Sequence, residues 1–362
     1  MGGATRVLLH QLDSLATSTH EAQLLSGCPK DESGQLPVTW VRHRYKSWSF
    51  IPQLLKSLLQ LKREFKPEIL HLHQPFIALL AHLVMAKSTM RLYHFHSYWG
   101  EEKLSHAQST FSRIWSRTKG ALERWTLQRM DAFIVLSDYS KERLLESVPH
   151  AKVHVCPGAV NLKAWSAKIS RSPTQLKLLS VRRLDPRMGL DLLLKALAEF
   201  IAENLHLNVT LSIVGTGRDE QRLQDLCSDL KLQNHVHFCG RVQESELQKL
   251  MLSHHGMIIP TREMEGFGMS VIEAWAAGLP VLATDAGALG EFARHGEVIH
   301  IVGKPTVENL KSGLTWCREH WMNSDNSITT QLSQRCRDVA SQSYSNDVIS
   351  QQLLTIYGTC RK

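Results

Sequence analysis

Two acidic residues eight positions apart, Glu265 and Glu273, bracket a glycine-rich turn in IIPTREMEGFGMSVIE, residues 258–273. A buried apolar run ends at Pro260, and helical spacing begins near Gly268. The segment reads as strand, loop and helix, with Glu265 in the loop and Glu273 in the second helical turn. Gly266 and Gly268 permit a tight turn and close approach of a ligand to main-chain N–H groups. The adjoining helix start offers unpaired donors and a positive dipole end, which suit a phosphate. Two carboxylates beside it can accept hydrogen bonds from sugar hydroxyls. Either acid alone would be an ordinary solvated glutamate; their combination with the turn and helix start carries the reading.

A second constellation lies in SVRRLDPRMGLDLLL, residues 180–194. Arg182, Arg183 and Arg187 cluster after an apolar run, and Gly189 opens a helix. Arginines at a strand's carboxyl end, next to a helix start, suit a diphosphate. The competing reading is a solvated basic loop. Histidines form a third group. In YHFHSYWGEE, residues 93–102, His94 and His96 end a strand on one face. His71 and His73 in HLHQP do the same, and packing and function explain them equally well.

The elements that must position these groups alternate short apolar runs with helical stretches. The runs are 21–26, 69–73, 92–96, 133–136 and 153–156, then 176–181, 209–214, 236–239, 257–259, 281–283 and 298–301. Between them, apolar residues recur at helical spacing, as at Leu190, Leu193, Leu194 and Leu197. This alternation predicts an α/β fold of two parallel, doubly wound sheets. The aperiodic stretch 157–173 marks the linker. Domains are expected over 1–160 and 170–342, with a last helix in 343–362 that packs back on the first domain. Ligands in such sheets bind outside the carboxyl ends of the strands, so two facing sheets would form a central cleft.

The 362 residues fit two domains. Residues 1–165 hold 21 Lys/Arg against 13 Asp/Glu, while the remainder holds 21 of each. The net charge of +8 therefore belongs entirely to the first half. It points to an anionic partner there, such as a membrane surface. Two basic and aromatic stretches, 40–65 and 109–130, could lie on an anionic bilayer, or simply face their own sheet. No apolar run is long enough to span a membrane, and the first residues resemble no leader. Seven scattered cysteines without a C-x-x-C fit neither a disulfide framework nor a zinc site, and favour a reducing cytoplasm. No nucleic-acid recognition motif is present.

These segments resemble those of the family-4 glycosyltransferases, a retaining group of GT-B architecture. EGFGMSVIE matches the family's Glu-x7-Glu signature, and RRLDPRMG its G-R-L…K-G segment. IVGTGRDEQRL, VHFCGRVQESELQKL, GLPVLATDAGALGEF, VLSDYSKERLLE and VHVCPGAVNLKAW follow in family order. The resemblance implies transfer of a sugar from a nucleotide-diphosphate sugar to a glycan, lipid or small-molecule acceptor, with no cofactor and no metal. It implies that Glu273 bonds the ribose and that Glu265 lies by the donor sugar. The backbone of Phe267 and Gly268, beside Gly266, would approach sugar or diphosphate. Arg183 matches the phosphate-binding arginine. Met188 stands where the family has lysine, so neighbouring Arg187 is expected to replace it. The base would lie near Arg241 and Val242. His96 matches a histidine near donor sugar or acceptor, although Ser97 and Tyr98 replace the usual Gly-Pro.

The N-terminus departs from the family. Gly2 and Gly3 match the loop that approaches the donor diphosphate, yet only Met1 precedes them. The expected first strand is absent, so the natural reading frame is expected to begin upstream. The rival expectation is a truncated, non-catalytic sugar-nucleotide-binding remnant. The enzyme itself is expected in the cytoplasm, where it can sit peripherally on the inner membrane face.

Overall fold

The computed structural model describes residues 24–26, 38–40, 50–98, 110–165, 174–322 and 326–360. The chain divides into two compact units: Met1–Ala159 with Asn346–Lys362, and Val160–Ser345.

In the first unit, β1 (Leu24–Ser26) and β2 (Val38–Trp40) form a parallel pair. Helix α1 (Phe50–Gln60) runs into a wider turn over Leu61–Phe65. Then follow β3 (Ile69–Leu72), α2 (Pro75–Val84), β4 (Met90–Phe95), α3 (Thr110–Leu127), β5 (Ala132–Val135), α4 (Asp138–Ser147) and β6 (Val153–Val155). Strands β3 to β6 pair in sequence order as a parallel sheet. Among the described residues, no strand joins β1 to β3. Strand β2 was not expected from the sequence.

Alternation along the strands divides the sheet's two faces. Tyr93, Phe95, Phe133 and Val135 pack with Leu54, Leu58, Ala78, Ala81 and Leu144. The helix α1 thus spends its apolar face on its own core. Met90, Leu92, Ala132 and Ile134 face the other way.

The second unit contains β7 (Gln175–Val181), α5 (Leu190–Glu203), β8 (Asn208–Val214), α6 (Glu220–Asp229), β9 (Val236–Gly240) and α7 (Glu244–Ser253). It continues with β10 (Gly256–Ile259), α8 (Met269–Ala276), β11 (Val281–Ala283), β12 (Ile299–Ile301), α9 (Val307–Trp321) and α10 (Asn326–Tyr344). Its six parallel strands lie in the order β12-β11-β10-β7-β8-β9. Counted from β7, that is the Rossmann order, and the direction of winding reverses between β7 and β10. The core under one face gathers Leu176, Leu178, Leu211 and Ile213 with Leu193, Leu197, Leu314 and Trp321.

The last helix, α11 (Asn346–Cys360), returns to the first unit. Its Ile349, Leu353, Ile356 and Tyr357 cover Met90, Leu92, Ala132 and Ile134. Gln352 and Lys152 secure it through the Val155 and Thr359 carbonyls at 2.9 and 3.3 Å. The chain therefore crosses between units twice, at Ala159/Val160 and at Ser345/Asn346.

Candidate functional site

In the second unit, the two motif segments leave the carboxyl ends of adjacent strands. Residues 182–189 follow β7, and residues 260–268 follow β10. These strands flank the reversal point, where a doubly wound sheet opens a crevice for ligands.

Arg182 is the first residue past β7. Its N–H donates to the Val214 carbonyl at 2.9 Å, continuing the ladder. Its Nη1 donates to Glu265 Oε2 at 3.0 Å, and both side chains are largely buried, at 8% and 18% exposure. Its Nε and Nη2 are buried without a hydrogen-bond partner. The Glu265 carbonyl in turn accepts from Ala288 N–H at 2.8 Å. Gly287, at φ +60°, lies so close that a Cβ there would be 2.4 Å from that carbonyl oxygen. The backbone of 287–288 thus supports Glu265 from behind.

Arg183 is exposed on the same loop. Arg187 is turned onto the other loop: its Nη1 donates to the Met264 carbonyl at 2.6 Å and the Glu263 carbonyl at 3.3 Å. Met188, at the family's lysine position, is buried at 5% exposure and belongs to the packing. Gly189 takes φ +70°, and a Cβ there would meet the Pro260 carbonyl oxygen at 1.9 Å. Glycine is required because the start of α5 abuts the end of β10. Arg262 adds a further tie to Asp191 of α5 at 2.7 Å.

Helix α8 starts at Gly268, which is left-handed at φ +103°. Phe267 is buried against the rings of Phe292 and Tyr344. Glu273 is buried at 7% exposure in α8. Thr261 Oγ1 and Ser270 Oγ, on the same strand-to-helix segment, are buried without a partner. Arg241 and Val242 follow the carboxyl end of β9, beyond β8 from β7.

The fold therefore brings Glu265, Gly266, Phe267, Gly268, Glu273, Arg183 and Arg187 to one edge of one sheet. Sequence reasoning missed the Arg182–Glu265 pair. Arg182 was noted only as one of three clustered cations, because nothing local signals that β7 and β10 are neighbours. Gly2 and Gly3 lie outside the described residues.

His96 belongs to the first unit, one residue past β4. Its Nε2 is hydrogen-bonded to His73 Nδ1 at 3.2 Å. Burial lowers its pKa to about 4, so the ring is neutral at physiological pH. His71 Nδ1 is bonded to Tyr357 OH of α11 at 2.7 Å, and its pKa falls to about 3 for the same reason, reinforced by His96. His73 and His94 are likewise held well below the ordinary histidine value, chiefly by burial.

Comparison with known proteins agrees with this arrangement. Residues 1–164 match the family model described as Glycosyltransferase Family 4. Residues 163–331 match that of Glycosyl transferases group 1. The chain is 25% identical over 330 residues to a glycogen synthase of Mycobacterium tuberculosis, covering 82% of this chain and 78% of that one. It is 28% identical over 258 residues to a phosphatidyl-myo-inositol mannosyltransferase of Mycobacterium leprae, covering 70% and 66%. Anabaena Alr3699/HepE, solved in complex with UDP, superposes with a TM-score of 0.77 at 18% identity, over 99% of this chain and 96% of that one. With both halves matched in order and both motif segments at one sheet edge, the chain belongs to the family-4 glycosyltransferases of GT-B fold.

Proposed function

We propose that the chain moves a sugar from a nucleotide-diphosphate sugar to an acceptor hydroxyl, retaining the anomeric configuration. The observation that carries this reading is the emergence of both motif segments at the winding reversal of the second sheet. Glu273 bonds the ribose, and the base lies by Arg241 and Val242. The main chain at Phe267 and Gly268, with Arg183 and Arg187, receives the diphosphate. Arginines and the α8 N-terminus neutralise the leaving group, so this step uses no metal ion. The partnerless buried atoms Arg182 Nε and Nη2, Thr261 Oγ1 and Ser270 Oγ support a polar ligand here.

Attack on the donor's front face lets the leaving phosphate take the acceptor's proton. Glu265 then positions the sugar and stabilises charge. Its ion pair with Arg182 supports that role, because a paired carboxylate is a poorer nucleophile. His96, Gly2 and Gly3 are the further residues that the family resemblance assigns to the substrates. The solved relative carries UDP in its crystal, which makes a uridine donor the first to try.

Two further parts belong to this reading. The acceptor side is the basic first half, and an anionic membrane surface is its partner, reached from the cytoplasm. Exposed Leu83, Leu122 and Trp125, with Arg129 stacked 3.4 Å over Trp125, support it. No described helix is long and apolar enough to cross a membrane. A binding-only remnant is the second reading.

The experiment is a panel of nucleotide sugars, read by thermal shift and by release of nucleoside diphosphate. The transferase reading requires that one donor stabilises the protein and turns over, and that Glu273→Ala loses both. Stabilisation without turnover supports the remnant. No shift with any donor refutes both.

A further inference from the structure

His71, His73, His94 and His96 of the first unit form a cluster whose hydrogen bonding does not close. Strands β3 and β4 are parallel neighbours, with His71 opposite Leu92 and Leu72 opposite Tyr93. Strand alternation puts His71, His73, His94 and His96 on the face covered by α11. Ring centroids are 4.5 Å apart for His71–His73, 4.9 Å for His73–His94 and 4.5 Å for His94–His96.

The ring nitrogens can be accounted for one by one. His71 uses Nδ1 on Tyr357, and its Nε2 is buried without a partner. His73 uses Nδ1 on His96, which leaves Nε2. His94 is fully buried, and neither of its nitrogens has a partner. A neutral imidazole carries N–H on one nitrogen and a lone pair on the other. His94 therefore buries both an unpaired donor and an unpaired acceptor, a costly arrangement that native cores avoid. One nitrogen from each of His71, His73 and His94 lies within 4.8 Å of the others.

We infer that His71, His73 and His94 bind one divalent transition-metal ion of the zinc class. Three neutral imidazoles suit zinc, nickel or copper rather than magnesium or calcium, which prefer oxygen. Tetrahedral zinc with bonds of 2.0–2.1 Å sets its nitrogens about 3.4 Å apart. The rings now lie 11–33° from parallel, so binding requires them to turn about their Cβ–Cγ bonds until their lone pairs converge. Water fills the fourth position. Two ligands already have the outer partner that orients a metal-bound imidazole: Tyr357 for His71 and His96 for His73.

This site differs from the metal-free donor step in residues and in role, and it stands whether or not the transfer reading holds. It also has a consequence for His96. With His73 bound through Nε2, its Nδ1 proton donates to His96 Nε2. His96 then carries its own proton on Nδ1. The ion would fix the tautomer of a histidine that the transfer reading sets beside the substrates.

The test uses the full chain, stripped with a chelator, equilibrated with zinc chloride and desalted. One zinc per chain is expected by elemental mass spectrometry. X-ray absorption of that zinc should show imidazole nitrogens at about 2.0–2.1 Å. His71→Gln and His73→Gln should each weaken zinc binding at least about tenfold, and Tyr357→Phe by roughly tenfold. His300→Gln, in the second unit, should leave it unchanged. The absorption measurement on the unaltered chain keeps the test independent of whether any variant folds. Substoichiometric zinc, a sulfur or all-oxygen shell, or full affinity in the His71→Gln/His73→Gln double variant would overturn the site. Buried water would then be what satisfies these imidazoles.

Discussion

Arg182 and Glu265 show how a single side chain can do two jobs. The pair is shielded from water, and Arg182 keeps two further nitrogens unpartnered. Removing the carboxylate strands a buried guanidinium. Glu265→Ala should therefore cost about 3 kcal/mol of unfolding free energy, besides any loss of turnover. The double variant Arg182→Met/Glu265→Gln should recover most of it, as read from denaturant midpoints. An unchanged midpoint in Glu265→Ala would show that the pair contributes nothing. Gly189→Ala is a backbone test of the same region. Its Cβ would collide with the Pro260 carbonyl at a left-handed φ. A loss of at least about 2 kcal/mol is expected, together with weakened donor binding. Glu265, Glu273 and Arg187 could be picked out in the sequence because strand, loop and helix are local. Their mutual supports could not, because Arg182, Gly189 and Gly287 act across strands that only the folded sheet makes adjacent.

At the scale of elements, apolar runs are legible where turn or linker residues set them off from the helical stretches. Strand β2, Val38–Trp40, is no shorter than β6, β11 or β12, but it merges into the basic, aromatic stretch 40–65, so nothing local marks it as a strand. The last helix was visible from its spacing, but periodicity marks a buried face without naming the surface that buries it. That surface is the Met90, Leu92 and Ile134 face of the first sheet. Leu353 is 1% exposed there. Leu353→Ala should destabilise the first unit by about 2–5 kcal/mol and leave the second unit's unfolding transition in place. Two-transition calorimetry would check this. Equal shifts of both transitions would mean that α11 belongs to the second unit's cooperative core. The order of strands in the second sheet was also beyond sequence reading. The chain crosses from β9 back to β10 beside β7, and only that crossing creates the crevice.

For the whole molecule, charge is divided unequally between the halves, with the surplus confined to residues 1–165. Part of the basic, apolar stretch 40–65 faces inward, since Leu54, Leu58 and Leu61 are buried. The outward apolar groups include Leu59 of α1, Leu83 of α2, and Leu122 and Trp125 of α3. Vesicles containing anionic lipid should therefore float this protein, and neutral vesicles should not. Binding should weaken with salt, because exposed charges are screened over about 10 Å at 0.1 M. Trp125→Ala/Leu83→Ala should reduce flotation with little effect on folding. Equal binding to neutral vesicles would remove charge from the explanation. Composition alone made the asymmetry legible, whereas the identity of the outward apolar groups depended on which helix faces the core consumed.

Three arginines stitch the two motif loops together: Arg182 to Glu265, Arg187 to the carbonyls of 263–264, and Arg262 to Asp191. Loops so cross-tied lose little conformational entropy when a ligand arrives, because they were ordered beforehand. Fast-timescale amide relaxation around Gly266–Gly268 should accordingly resemble that of a helix interior, with order parameters near about 0.85, in the unliganded protein as much as in the liganded one.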